Sequence, residues 1–139
     1  MVLDTSAIVA ILADEPDAAI FREALINATS ISISAVTVLE AQIVLHSRYG
    51  AKAVQQLDEM LENSGITVVP FDGALATTAF DAFRRFGKGQ GHPAQLNIID
   101  CAAYALAKSR NEVLLFKGND FEQTDILAAV RGGNVDKSL

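Results

Sequence analysis

Apolar residues along this chain fall into two alternating kinds of pattern. Short apolar runs at Val2-Leu3, Ile66 to Phe71 and Val113 to Phe116 read as buried strands. Ser30 to Ser34 alternates Ser with Ile at the period of two that a strand shows. Between these runs, apolar positions recur every three or four residues, the spacing of one helix face. Ile8, Ile11 and Leu12 form the first such face, ended by Glu15-Pro16. Asp17 opens a second helix carrying Ile20, Phe21, Leu25 and Ile26. A third runs from Ser34 to about Arg48 with Val36, Leu39, Ile43 and Val44 on one side. Gly50 punctuates it, and Val54, Leu57, Met60 and Leu61 mark a fourth, stopped at Ser64-Gly65. Asp72 caps a helix through Phe80, Phe83 and Phe86. A loop rich in Gly, Lys88 to Pro93, follows, and a last helix begins near Asn97 and passes through Tyr104 and Leu106. Strands alternating with helices predict an α/β fold, a mostly parallel central sheet flanked by helices. With no repeat and no linker, residues 1–139 read as a single domain.

Composition narrows the class. The chain has 139 residues, half of them apolar, which suits one domain with a proper core and excludes a disordered tail. No apolar run approaches the ~20 residues of a membrane span. Met1-Val2-Leu3-Asp4 has no basic region, so a cytoplasmic protein is expected. Cys101, the single cysteine, cannot form an internal disulfide and fits a reducing compartment. Eleven Lys and Arg against seventeen Asp and Glu leave a net charge of −6. Such a chain does not hold nucleic acid through a broad basic footprint. If its substrate is a phosphate polymer, something must neutralise the acids locally, and a divalent cation is the obvious candidate.

Four acids occupy informative places. In parallel α/β sheets, reactive groups gather just beyond the carboxyl ends of the strands. Asp4 follows the first strand directly, and Asp120 comes shortly after the strand ending at Phe116. Asp100 sits between Ile99 and Cys101, and Glu40 within Val38-Leu39-Glu40-Ala41, each at an otherwise apolar helix start. Each has a bland alternative. Asp4 can simply cap the first helix. Thr37-x-x-Glu40 matches a capping box. Asp120 can close the turn Gly118-Asn119-Asp120. Asp100 has the weakest such alternative, because Asp is a poor residue among apolar neighbours inside a helix. Taken together, converging carboxylates would repel and partly protonate unless a cation lay between them. All-oxygen ligation without a His or Cys cluster points to Mg²⁺ or Mn²⁺, ions that assist in-line phosphoryl displacement. Thr5 and Ser6 are suited to orient a carboxylate or contact phosphate.

Four blocks carry a family resemblance: Met1-Val2-Leu3-Asp4-Thr5-Ser6-Ala7, Ser34-Ala35-Val36-Thr37-Val38-Leu39-Glu40, Asn97-Ile98-Ile99-Asp100-Cys101-Ala102-Ala103-Tyr104-Ala105 and Leu114-Leu115-Phe116-Lys117-Gly118-Asn119-Asp120-Phe121. In this order they resemble the PIN-domain ribonucleases, nearest to the VapC toxins of bacterial toxin–antitoxin pairs. The resemblance covers nearly the whole chain. It implies a Mg²⁺- or Mn²⁺-dependent RNA endonuclease, usually a homodimer, inhibited by a cognate VapB-like antitoxin. Asp4 and Asp100 match the family's main metal ligands and Glu40 its third acid. The role of the fourth is carried to Asp120, with Asn119 and Asp125 left open. The same fold also serves RNA-processing nucleases with no toxin role.

Gly87-Lys88-Gly89-Gln90-Gly91-His92 lacks the ending of a phosphate loop and follows a helix, so that reading fails. With Arg84 and Arg85, Lys88 nevertheless belongs to the densest basic stretch, a candidate contact for the RNA backbone together with Ser6. His46 and His92 have no ligand spacing. Phe80, Phe83 and Phe86 suit core or dimer packing better than base stacking. Apolar faces of the first two helices and of the Val54–Leu61 helix are the expected dimer contact. A doubly wound phosphoacceptor domain, with Asp72 as acceptor and Lys117 beside it, is a competing class. A non-catalytic binding module that keeps the acids for structure is another.

Overall fold

A computed structural model describes residues 1–130 of the chain; the expected domain, 1–139, extends past them. The element order is β1 (Val2–Leu3), α1 (Thr5–Leu12), α2 (Ala18–Asn27), β2 (Ser32–Ser34), α3 (Ala35–Tyr49), α4 (Ala51–Asn63), β3 (Thr67–Val69), α5 (Gly73–Phe86), α6 (Ile98–Arg110) and β4 (Leu114–Leu115). A short 3-10 turn, Phe121–Gln123, follows. The strands form one parallel sheet in the order β3-β2-β1-β4, with Val2 opposite both Ser32 and Leu114. The α/β expectation therefore holds.

Side chains of a strand point alternately to opposite faces, and here both faces are covered. Leu3, Ile33 and Leu115 face a core built with α1, α2, α3 and α4, which includes Ile8, Phe21, Leu45 and Leu57. Val2, Leu114 and Phe116 face a second core with α5 and α6, which includes Phe86, Leu96, Tyr104 and Leu106. Leu45 is fully buried in the first of these. Leu45→Ala leaves a cavity there and is expected to cost roughly 3 kcal/mol in urea unfolding. Gly50, at φ 86°, joins α3 directly to α4 in a conformation that a side chain would strain, which fixes where α3 ends.

Several expectations are corrected. The run from Ile66 to Phe71 is not a buried strand: Ile66 is buried, but Thr67 and Val68 are exposed, because β3 is an edge strand. Part of the predicted dimer faces is consumed inside the protomer. Ile8 and Ile11 of α1 and Leu57 of α4 are buried in the core. The large apolar residues left exposed include Ile26, on the predicted α2 face, and, outside the predicted faces, Leu39 and Ile43 on α3 and Phe71, Phe80 and Ile98 around α5 and α6. Phe86 is core, whereas Phe80 is 63% exposed. His92 packs its ring edge-on to Phe86 at 5.0 Å and accepts a hydrogen bond from the Ala94 amide, a structural role. His46 lies exposed in the last turn of α3. The topology does not favour the phosphoacceptor reading. Asp72 follows β3 and Lys117 follows β4, and those strands are opposite edges of the sheet. Among the described residues no helix is long and apolar enough to cross a membrane.

Candidate active site

The strand order reverses at β1, since β2 and β3 extend to one side and β4 pairs on the other. A crevice opens at such a point beyond the carboxyl ends of the strands. The Asp4 amide donates to the Leu115 carbonyl at 3.0 Å, extending the β1–β4 ladder and placing Asp4 at the head of α1. A cavity of about 430 Å³ lies there, and Asp4, Glu40, Asp100 and Asp120 all line it. The four acids picked out in the sequence thus meet in one place.

The bland and the chemical readings coexist at two of them. Asp4 does cap α1, its Oδ2 accepting from the Ser6 amide at 3.0 Å and from the Ser6 hydroxyl at 2.6 Å. Its Oδ1 is buried and has no hydrogen-bond partner among the described residues. Asp100 forms a capping box with Asn97: its Oδ2 accepts from the Asn97 amide at 2.9 Å, and its own amide donates to Asn97 Oδ1 at 2.8 Å. It stands at the third position of α6, where Asp is well tolerated, so the expectation that it had little capping role is corrected. In both residues one carboxylate oxygen is spent on a helix terminus and the other is left over. The positive ends of α1 and α6 consequently point toward the acids and moderate their repulsion.

The box expected at Thr37 and Glu40 does not form. Ser34 caps α3 by accepting from the Val36 amide at 3.2 Å, one turn earlier than that reading requires. Thr37 is buried inside the helix, with its hydroxyl unpartnered, and Glu40 is left to line the cavity. Asp120 makes no side-chain cap to the turn that follows it.

Burial and neighbouring charge act together on Asp100 and Asp4. Burial drives the Asp100 carboxyl up to about 7 against the opposing Asn97 hydrogen bond, and the charges of Asp4, Asp120 and Glu40 push the same way. Burial also raises Asp4, which is only 4% exposed; the two Ser6 hydrogen bonds oppose the shift and the Glu40 charge adds to it. Asp125 lies elsewhere. It accepts from the Tyr104 hydroxyl, from Lys108 Nζ at 3.0 Å and from Arg85 at 3.4 Å. Burial alone would raise its carboxyl, but those donors and charges hold it below the usual range. Neither Asp125 nor Asn119 lines the acid cavity.

Ser6 ties the site together, because its hydroxyl also accepts from the Lys117 amide at 2.9 Å. It orients Asp4 and fastens the segment after β4. Arg84, Arg85 and Lys88 are not brought to the cavity. Arg84 pairs with Asp81, and Arg85 with Asp81 and Asp125. The sequence reading missed two cations that do line the cavity, Arg48 and Lys117. Lys117 Nζ is held by Glu15 at 3.0 Å and Asp17 at 3.2 Å. For Arg48 a signal existed: Glu40, Val44 and Arg48 follow the i, i+4, i+8 line of one helix face.

Among the described residues no three His, Cys, Asp or Glu side chains stand close enough to enclose a metal ion. The cavity offers hard oxygens without a closed cage. That donor set fits Mg²⁺, which is commonly held through one or two carboxylates and keeps several waters. The buried, unpartnered Oδ1 of Asp4 and the free oxygen of Asp100 are the atoms left for such an ion.

A PIN-domain family model matches residues 1–127. The chain is 47% identical over 130 residues to Ribonuclease VapC28 of Mycobacterium tuberculosis, covering 94% of this chain and 98% of that one. Among solved structures it is similar to VapC20 of Mycobacterium tuberculosis, a sarcin-ricin loop cleaving toxin, with a TM-score of 0.77 at 16% identity, over 94% and 98% of the two chains. It is also similar to a chain of VapBC2 from Rickettsia felis bound to a DNA fragment, with a TM-score of 0.70 at 17% identity, over 91% and 94%. These last two show the fold. The match over the sheet and its acid cavity, together with the near-full-length identity, shows that the chain belongs to the PIN-domain family, among the VapC ribonucleases.

Proposed function

We propose that this protein is a divalent-metal-dependent endoribonuclease, the toxin half of a VapBC-like type II toxin–antitoxin pair acting in the cytoplasm. The observation that carries the reading is Asp4, a carboxylate buried at the switch point of the sheet with one oxygen left without a partner. A purely structural acid would have both oxygens satisfied, since an unpartnered buried polar atom is costly. The binding-module alternative offers no such explanation.

Mg²⁺ or Mn²⁺, when bound, supplies a Lewis acid that polarises the phosphoryl group and lowers the pKa of water. Asp4 and Asp100 are the residues that would hold it. Ser6 keeps the Asp4 carboxylate in its rotamer through the 2.6 Å hydrogen bond. Glu40 would orient the attacking water or complete the metal's shell, and Asp120 would supply a further carboxylate. The identity with VapC28 and the likeness to VapBC complexes support an RNA substrate and an antitoxin partner. The acid cavity suits an inhibitor that inserts an Arg, whose planar fork pairs with two carboxylate oxygens at once. A homodimer would bury the exposed apolar side chains of α5 and α6, Phe80 and Ile98 among them.

The test is cleavage-site sequencing of total RNA incubated with the purified chain and Mg²⁺ or Mn²⁺, with and without the cognate antitoxin. Discrete cuts that the antitoxin silences are the expected result. Intact RNA under both metals would overturn the assignment.

A further inference from the structure

The cavity walls carry more than the acids. Resting on the ribonuclease reading, we infer that Arg48 is a substrate-binding residue, its guanidinium holding an RNA phosphate that flanks the scissile one. Two cations line the cavity, and their situations differ. Lys117 is clamped between Glu15 and Asp17, so its charge is already spent. Arg48 forms no ion pair and no side-chain hydrogen bond among the described residues, and it is exposed. A net charge of −6 makes an unpaired cation beside several carboxylates hard to explain as a surface accident. Had charge neutralisation been its role, it would sit in contact with one of those carboxylates.

Its position suits a flanking phosphate. Arg48 lies eight residues beyond Glu40 on the same face of α3, with Val44 between them, and all three line the cavity. Eight residues of helix span ~12 Å. That offset separates Arg48 from Glu40 along the cavity wall, the kind of spacing that suits a phosphate next to the reacting one. Gly50 stops α3 just after this turn and sends the chain into α4, so Arg48 is presented from a braced helix end. The fork of five donors is suited to phosphate oxygens. A contact of this kind reads backbone and carries no base preference. It also supplies what the acidic composition otherwise lacks, a local attraction for a polyanion. Among the described residues no Arg or Lys besides Arg48 and Lys117 lines the cavity: Arg84 and Arg85 are paired outside it, and Lys108 is held by Asp125.

The experiment measures binding of single-stranded RNA oligonucleotides of unrelated sequence to Asp4→Asn protein, which is expected not to cut them. Adding Arg48→Ala is expected to weaken binding about tenfold for every sequence, the scale of one charge-assisted contact. The plot of log affinity against log salt should become shallower by about 0.7, the value for one phosphate contact on a single strand. Arg48→Lys should keep the slope. Lys52→Ala removes the same charge from α4 outside the cavity and controls for net charge. Unchanged binding in Arg48→Ala, a loss confined to one sequence, or an equal loss in Lys52→Ala would each overturn the inference. Failure of the Asp4→Asn parent to bind any RNA would instead overturn the ribonuclease reading beneath it.

Discussion

Asp100→Asn is expected to abolish RNA cleavage while raising the melting temperature of the metal-free protein, and both effects share one cause. Burial and the neighbouring acids move the Asp100 carboxyl from an ordinary 3.8 to about 7 in the folded chain. Between those pH values the folded state binds more protons than the unfolded one. Stability therefore falls as pH rises from about 4 to about 7, and the whole deficit is present above 7. Asparagine carries no charge to bury, and its amide oxygen still accepts from the Asn97 amide, so the capping box survives. The gain should be visible in thermal melts at about pH 8 and should vanish near pH 4. About 1 kcal/mol moves the midpoint of a domain this size by roughly 4 °C. Activity is lost for the complementary reason, since the neutral amide is a poor ligand for a hard dication. A variant that melts lower at alkaline pH, or one that still cuts RNA, would contradict the role given to Asp100.

Affinity for Mn²⁺ should fall about tenfold for each pH unit below 7 and level off above it. An ion bound by Asp100 must displace the proton that burial keeps there, so binding releases protons wherever the carboxyl is protonated. Asp4, raised for the same reason, makes the dependence steeper if it too releases a proton. Calorimetric titration in buffers of different ionisation enthalpy counts those protons directly. The Asp100→Asn protein should bind weakly, with a flatter pH dependence, and excess chelator should stop cleavage by the native chain. Flat affinity across the range, or full cleavage in chelator, would remove the metal from the mechanism.

The residues behind these effects are partly legible in the sequence itself. Asp4 and Asp120 were found because they closely follow strands, and Asp100 and Glu40 because they interrupt apolar helix starts. Strand and helix periods are local properties, so Val2-Leu3 and the helical faces of α1 to α6 could be read from neighbours alone. Local reasoning failed where two local signals competed. Thr37-x-x-Glu40 has the spelling of a capping box, but Ser34 caps α3 first and Asn97 with Asp100 forms the box instead. The basic stretch at Arg84, Arg85 and Lys88 was the densest in sequence, yet its arginines are tied to Asp81 and Asp125.

By itself, then, the sequence determined the alternation of strands and helices, the mixed apolar faces that require a covered sheet, and the acid that caps α1. Tertiary structure decided the strand order β3-β2-β1-β4, and with it which loop ends lie side by side. That order sent Asp72 to the opposite edge from Lys117, made β3 an exposed edge, and brought Asp120 rather than Asp125 to Asp4. It also set Arg48 on the cavity wall. The reason is one of range. Caps and periodic faces are made within a few residues, whereas the partner of a carboxylate a hundred residues away is chosen by how the whole sheet packs.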